Sequence, residues 1–411
     1  MQSEADVVVV GGGIAGGALA SALAAGGLSV YLLERQAKYE DLVRGEFLTP
    51  WGIRELQTLG LEECLQAADA WTLRWWMQWD EIYSDPSDVP VADLSDNFTD
   101  GVEGPVSAPH HKLCQALTDA AAAAGANVVM GARGVRLMTD GTGVEFTVDG
   151  APMRIRSRLV VGAGGRYGQV AQQAGIVVTD VTKNRHMGGG VAVEGIEDWP
   201  DDTQAMGSHG DVQFFVFPQG GGRARLYLSY AAETQKRFSG GDTFRKFVEA
   251  FRLPCLPLGD VIAQARQAGR LSCFKTVNTV VDMPIGDGVV LIGDEAGMTD
   301  TVLGTGLANS LRDARMLSEL LLTNGDWGRD SLKGYAEERR QRMHRLHLCA
   351  DLMASLYIEF GPEAMLRRKR AMELIAENPA HAIFLLVAMA GPEWLPDLPF
   401  AEYLSDRLLA S

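Results

Sequence analysis

The chain has 411 residues, 46% of them hydrophobic and 22% charged, the balance of an ordinary soluble globular protein with a large core. Its formal net charge of −16 argues against nucleic acid or an anionic membrane as partner. Five cysteines, Cys64, Cys114, Cys255, Cys273 and Cys349, form no close pair in sequence and fit reduced thiols in a cytoplasmic protein.

No basic region precedes the first apolar run, and glycines end that run, so the start does not read as a signal peptide. The longest later apolar run, Ala382 to Ala390, is too short to span a bilayer. The first run, Val7 to Val10, reads as a strand buried on both faces, as in a parallel sheet. Gly11, Gly13 and Gly16 follow at G-x-G-x-x-G spacing, and an alanine-rich helix continues to Ala25. Gly11 allows the sharp turn, Gly13 lets backbone approach a pyrophosphate, and Gly16 lets helix pack on strand. The amides of Ile14 and Ala15 stand at a helix N-terminus, where they meet negative charge. Leu28 to Leu33 is the returning strand, and Glu34 closes it about 20 residues past Gly13, where an acid takes the hydroxyls of an adenosine ribose.

Arg35 to Arg44 is polar and reads as a loop over the nucleotide, and Pro50 to Leu61 as a short helix. Trp71 to Tyr83, WTLRWWMQWDEIY, is either core packing or one wall of a pocket for a flat apolar ligand. His110 to Ala124 reads as a helix, and Ala126 to Met130 and Val144 to Asp149 as strands, with a turn at Asp140-Gly141. Arg158 to Gly165 is a further buried strand running into glycines. From Met187 to Ala232, strand-like runs separated by Gly, Pro and Asp suggest an inserted antiparallel sheet, with helices at Thr243 to Phe251 and Gly259 to Ala268. Val289 to Gly293 returns to the buried-strand pattern, and Leu303 to Leu322 reads as a long helix. The tail from Gly334 is helical, and its basic stretches Glu338 to Arg345 and Arg367 to Arg370 read as solvated faces.

Gly293-Asp294 ends one buried strand, and Gly304-Thr305-Gly306 opens the long helix. An aspartate at a strand end can accept from polyol hydroxyls, and a glycine-lined helix start can set bare amides against a developing anion. Two nucleotide-type ends in one chain suggest one long cofactor, FAD, with its adenylate on the first turn and its ribityl-flavin on the second.

With these blocks the chain resembles the FAD-dependent aromatic hydroxylases of the para-hydroxybenzoate hydroxylase fold, the single-component flavoprotein monooxygenases. The resemblance rests on VVVVGGGIAGGALASALAAGGLSVYLLER, on Leu159 to Ile176, and on VVLIGDEAGMTDTVLGTGLANSLRDA from Val289 to Ala314. It implies an α/β fold: a Rossmann-like FAD-binding domain, an inserted antiparallel-sheet substrate domain and a helical C-terminal region. FAD-binding parts are expected at 1–70, 106–180 and 281–325, substrate parts at 71–105 and 181–280, and the helical region at 326–411. It also implies that Arg35 borders the nucleotide, that Arg44 contacts flavin and diphosphate, and that His110 stands where the family has an arginine. Asp294 would hold the ribitol, with amides near Gly306 and Leu307 facing the flavin.

The chain departs from the family at Gly164, where the second block usually has an aspartate, and at Gly297 and Thr301, usually histidine and proline. The implied reaction is hydroxylation of a hydrophobic aromatic or polyketide-like small molecule with NAD(P)H and O2, through a C4a-hydroperoxyflavin. Gln213, Phe215, Arg225 and Tyr227 are candidates to roof the substrate, and His209 or Tyr227 could be the base. A reductase resembling geranylgeranyl reductases, or a flavin epoxidase, is the alternative.

Overall fold

The computed structural model describes residues 2–95, 98–139, 141–395 and 398–410. In chain order the principal strands are β1 (Gln2–Val10), β2 (Val30–Glu34), β3 (Trp75–Gln78), β4 (Asn127–Met130) and β5 (Ala151–Gly162). They continue with β6 (His186–Glu194), β7 (Thr203–His209), β8 (Val212–Pro218), β9 (Arg223–Ala231) and β10 (Val289–Leu291). The principal helices are α1 (Ile14–Ala25), α2 (His110–Ala123), α3 (Gly306–Thr323), α4 (Arg329–Tyr357) and α5 (Pro362–Glu377).

Parallel pairing orders the first sheet β10-β5-β1-β2-β4. Its valines are buried on both faces: Val7 and Val9 enter the core beneath α1, α2 and α3, while Val8 enters a separate core on the other side. Residues with no polar side chain can pack both ways, which is why the run lacks the alternation of a half-exposed strand. The carboxyl ends of β1, β5 and β10 lie level, with Val10 opposite Gly162 and Gly162 opposite Leu291. Three turns therefore leave the sheet at one edge, the place where open parallel sheets bind ligands.

The second sheet is mostly antiparallel, in the order β6-β9-β8-β7-β3 over its principal strands. Period-two alternation divides it. Phe214, Val216, Leu226, Leu228, Val191 and Val193 enter one core with Phe247, Val248 and Ile262 of two short helices. Phe215, Phe217 and Tyr227 turn the other way, toward Phe47 and Met389. Part of that opposite face is closed by α4, where Met206 packs with Met343, Leu346 and Tyr357.

Several sequence expectations need correction. Strand β5 begins at Ala151, not Arg158, because its first half pairs antiparallel with Gly143–Val148 before the chain enters the parallel core. Asp140 of the expected turn lies outside the described residues, while Gly141 adopts a φ of 71°. Strand β7 carries no strong strand signal, and the expected helix from Gly259 stops at Ala263, followed by the short strand Arg266–Gln267. The long late helix starts at Gly306, because Thr301–Leu303 forms a separate 3-10 turn ended by Gly304 in the left-handed region.

The basic stretches of the tail are only in part solvated faces: Arg340, Lys369 and Arg370 are exposed, but three other arginines are not. Arg339, Arg342 and Arg368 are 2%, 2% and 1% exposed. Arg368 of α5 donates to Asp80 at 3.0 Å, to Glu81 at 2.8 Å and to the Leu356 carbonyl at 3.1 Å. Burial pushes the Asp80 carboxyl up, and the Arg368 guanidinium opposes that shift. Removing one partner of a buried pair leaves the other uncompensated. Arg368→Met should therefore lower unfolding stability by about 3–5 kcal/mol in equilibrium denaturation. A loss below about 1 kcal/mol would show that Asp80 is satisfied without it.

Candidate active site

The first turn follows from three glycines with separate reasons. Gly11 has a φ of 115°, and a Cβ there would stand 2.3 Å from the Ala163 carbonyl oxygen, so neither conformation nor space admits a side chain. Gly16 is required less by the strand than by the turn itself, since its Cβ would stand 1.9 Å from the Gly11 carbonyl oxygen. Around Gly13, by contrast, a Cβ would meet nothing within 4 Å. The protein does not fill the space in front of Gly13. Ile14 and Ala15 open α1 directly behind it and are buried.

Glu34 sits at the end of β2 and accepts from the Gly12 amide at 2.8 Å and the Gln36 amide at 2.8 Å. Tyr39, which the sequence did not single out, donates to the Gly12 carbonyl at 2.6 Å and lies 2.8 Å from the Thr118 hydroxyl. Arg35 and Arg44 are exposed, and the Arg44 side chain donates to the Val43 carbonyl at 3.2 Å, its one hydrogen bond among the described residues. His110 starts α2, with Nδ1 3.0 Å from the Gly45 carbonyl oxygen. Desolvation, aided by Arg44 and His111, lowers its imidazole to about 4, so it is neutral at physiological pH.

The second turn lies against the first. A Cβ on Gly293 would be 3.1 Å from that of Ala15. Asp294 follows, half-buried, and its carboxylate makes no side-chain hydrogen bond among the described residues. Burial raises its pKa, while Arg339 and Arg44 act to lower it. An unpartnered, desolvated carboxylate at a strand end is a polar group prepared for a ligand hydroxyl. Gly306 opens α3 with no atom within 4 Å of its Cβ position, and Leu307 is buried behind it. Gly304, at a φ of 71°, turns the chain beside Phe47, whose ring carbon would be 3.3 Å from a Cβ there.

Thus the clear space at Gly13, the free carboxylate of Asp294 and the bare helix start at Gly306 line one edge of the sheet. That layout suits a long phosphate-bearing molecule with a polyol in its middle. A family model described as FAD binding domain matches residues 4–348. The chain belongs to that family.

The chain is also similar to individual known proteins. Squalene epoxidase ERG1 of Gibberella zeae is 54% identical over 67 residues, 16% of this chain and 13% of that protein. Squalene epoxidase 2, mitochondrial, of Arabidopsis thaliana is 22% identical over 388 residues, 90% of this chain and 64% of that protein. The chain thus spans less than two thirds of the length of either relative. Among solved structures, p-nitrophenol 4-monooxygenase PnpA from Pseudomonas putida DLL-E4 has a TM-score of 0.80 at 17% identity, over 95% of this chain and 99% of that one. The protein carries the FAD-binding domain of that family in the fold that PnpA also has.

Two departures from the family pattern have a structural reason. Glu295 occupies the neighbourhood of Gly164: its carboxylate accepts from the Gly164 amide at 2.7 Å and the Ala171 amide at 3.1 Å. A Cβ on Gly164 would be 3.1 Å from Glu295 Oε2 and 2.8 Å from the Gly168 Cα, so an acid from a different turn stands against this position and leaves no room for a side chain. Gly297 has a φ of 106°, and a Cβ there would stand 2.8 Å from the Thr279 carbonyl oxygen, which excludes a histidine. Thr301 is exposed at the start of the 3-10 turn.

The substrate candidates separate. Gln213, Phe215, Arg225 and Tyr227 share one sheet face, through the register of Gln213 with Ser229, Phe215 with Tyr227 and Phe217 with Arg225. His209 pairs with Val212 and so belongs to the opposite face. Arg225 is 1% exposed and donates to Asp41 at 2.5 Å and Glu46 at 2.7 Å, which makes it a strut rather than an open ligand. Gln213 is fully buried, with neither amide atom hydrogen-bonded among the described residues.

Gly13→Val should melt close to the wild-type apoprotein, since a Cβ there would meet nothing within 4 Å, yet purify without visible flavin absorbance. Flavin uptake at wild-type level would overturn the placement. Asp294→Ala should weaken FAD retention by about tenfold, one charge-assisted hydrogen bond, in titrations of apoprotein. An unchanged affinity would leave Asp294 with no role in holding the ribitol.

Proposed function

We propose that the protein is a monooxygenase that transfers one oxygen atom from O2 to a hydrophobic small molecule, with NAD(P)H as reductant. The observation that carries this reading is an aromatic row continuous with the second turn. Phe47, beside Gly304, stacks on Phe217 with ring centres 5.2 Å apart, and Phe217 stacks on Phe215 at 5.6 Å. Tyr227 meets Phe217 edge-on at 5.9 Å. Phe215, Tyr227 and Trp76 remain half-buried, so the row presents apolar surface instead of closing on itself. A flat or unsaturated apolar molecule on these rings would lie at the end of the cofactor held by Gly304 and Gly306.

Bound FAD supplies the electron transfer and the reaction with dioxygen. The chain's residues hold, orient and shield. The open amides at the start of α3 favour negative charge next to them. The rings exclude water from the face they cover.

A second reading within this class concerns the type of oxygen transfer. Hydroxylation of a phenol is helped by a base that takes its proton. The Tyr227 hydroxyl donates to the Arg44 carbonyl, and desolvation raises its pKa well above the ordinary value, so it is no base. Arg225 is a cation in a buried ion pair, and His209 lies on the other face. His186, at the end of the same face, has its Nε2 3.4 Å from Asp300 and is itself buried. This set favours an alkene, whose epoxidation needs no proton removed from substrate, and the squalene epoxidases among the relatives support the same choice.

Purified protein supplied with FAD, NADH or NADPH, labelled dioxygen and a panel of apolar alkenes and arenes tests both levels. One labelled oxygen atom in the product is expected, in an epoxide that opens to a diol in acid. A phenolic product would favour ring hydroxylation. Hydrogenated product without oxygen consumption would overturn the monooxygenase reading in favour of a reductase.

A further inference from the structure

The second sheet does more than roof a substrate: it grips the segment that carries Arg44. Three residues of that sheet or its edge reach across to residues 41–46. The Tyr227 hydroxyl donates to the Arg44 carbonyl at 2.5 Å. Arg225 donates to Asp41 and to Glu46, and Gln219 donates to the other oxygen of Glu46 at 2.5 Å. Glu46 is 1% exposed, so its contact with Arg225 is dry. Burial pushes the Glu46 carboxyl up, with Arg225 opposing, and a carboxylate so placed depends on its partners.

The joint also needs a special surface. A Cβ on Gly190 would be 2.8 Å from the Tyr227 ring and 2.9 Å from Val43. A bare backbone at that position lets ring and loop meet over the strand. From the loop, Gly45 reaches the start of α3, where a Cβ would be 4.0 Å from Leu307. The backbone of Arg44 is thus held from the aromatic row on one side and lies beside the helix start on the other, while its exposed guanidinium donates only to the Val43 carbonyl among the described residues.

We propose that Tyr227 and Gln219 are positioning residues that fix Arg44 for the cofactor, so that the substrate-facing sheet sets part of the FAD affinity. Neither residue touches the cofactor in this scheme; both act through the 41–46 segment. The same phenol ring belongs to the aromatic row, so a molecule lying on that row presses on the anchor of Arg44. The inference rests on the monooxygenase reading only for what lies on the row, and its readout is FAD binding, not turnover.

A double-mutant cycle on FAD dissociation constants decides it. Tyr227→Phe keeps the ring and its contact with Phe217 and removes only the hydroxyl. It should raise the FAD Kd about tenfold, the effect of one lost hydrogen bond, while the melting temperature of the apoprotein stays the same. Arg44→Met alone should raise the Kd by at least as much. In the Arg44→Met background, Tyr227→Phe should change the Kd less than about twofold, because the group it positions is gone. Gln219→Leu, which removes a strut from Glu46 without touching the rings, should weaken FAD in the same direction and serves if Tyr227→Phe gives no soluble protein. Additive effects of Tyr227→Phe and Arg44→Met, or an unchanged Kd in Tyr227→Phe, would overturn the proposal. An Arg44→Met variant that binds FAD normally would remove its end point. A protein that shows the coupling yet oxygenates nothing would leave the positioning role standing and sink the function reading instead.

Discussion

The carboxylate of Asp313, fully buried in α3, is the interaction on which the cofactor edge depends. It accepts from Arg339 at 3.0 Å, from Arg342 at 2.6 Å and from the Gly293 amide at 2.7 Å. Burial raises its pKa, but the two arginines outweigh that and hold it below the ordinary carboxylate range. Arg339 then donates to the carbonyls of Gly293, Ala296 and Gly297. One aspartate and one arginine so hold one amide and three carbonyls of the turn around Asp294, while the Asp294 carboxylate makes no side-chain hydrogen bond among the described residues. Buried charge of this kind is a weak source of stability and a strong source of specificity, because few alternative packings could satisfy it.

The two sheets share this logic. In the first, residues with no polar atoms fill both faces, and all chemistry is deferred to the ends of strands. In the second, one face is a plain apolar core, and the other mixes rings with buried ion pairs. Asp80 with Arg368, and Glu46 with Arg225, place desolvated charges where sheet meets helix and loop. Each pair fixes the sheet relative to a segment far away in sequence, so the aromatic row cannot shift independently of the turn at Gly304.

Much of the cofactor edge was legible in the sequence because its demands are local. A glycine triplet between an apolar run and a helix, or an aspartate after a second such run, is a pattern within a dozen residues. What could not be read depends on contacts across the chain. At Gly164 the sequence shows only a missing aspartate, whereas the contact of its amide with Glu295 comes from a turn far along the chain. Arg339 and Arg342 looked like surface charge by composition. Their spacing with Leu332, Tyr335, Met343 and Leu346 put them in the apolar stripe of α4, and that periodicity was the available signal. The division of Gln213 and His209 between two faces follows from strand register, which alternation alone does not fix across strands.

The dependence of the Gly293–Gly297 turn on α4 has a consequence for how the protein is made. During synthesis the first glycine turn emerges early, but its counterpart has its carbonyls held only once Arg339 has left the ribosome. Until then a nascent chain carries one half of a nucleotide cleft and an unpaired Asp313. The cleft therefore closes late in translation, and truncated chains ending before α4 would expose apolar sheet to chaperones and proteases without a flavin to stabilise them.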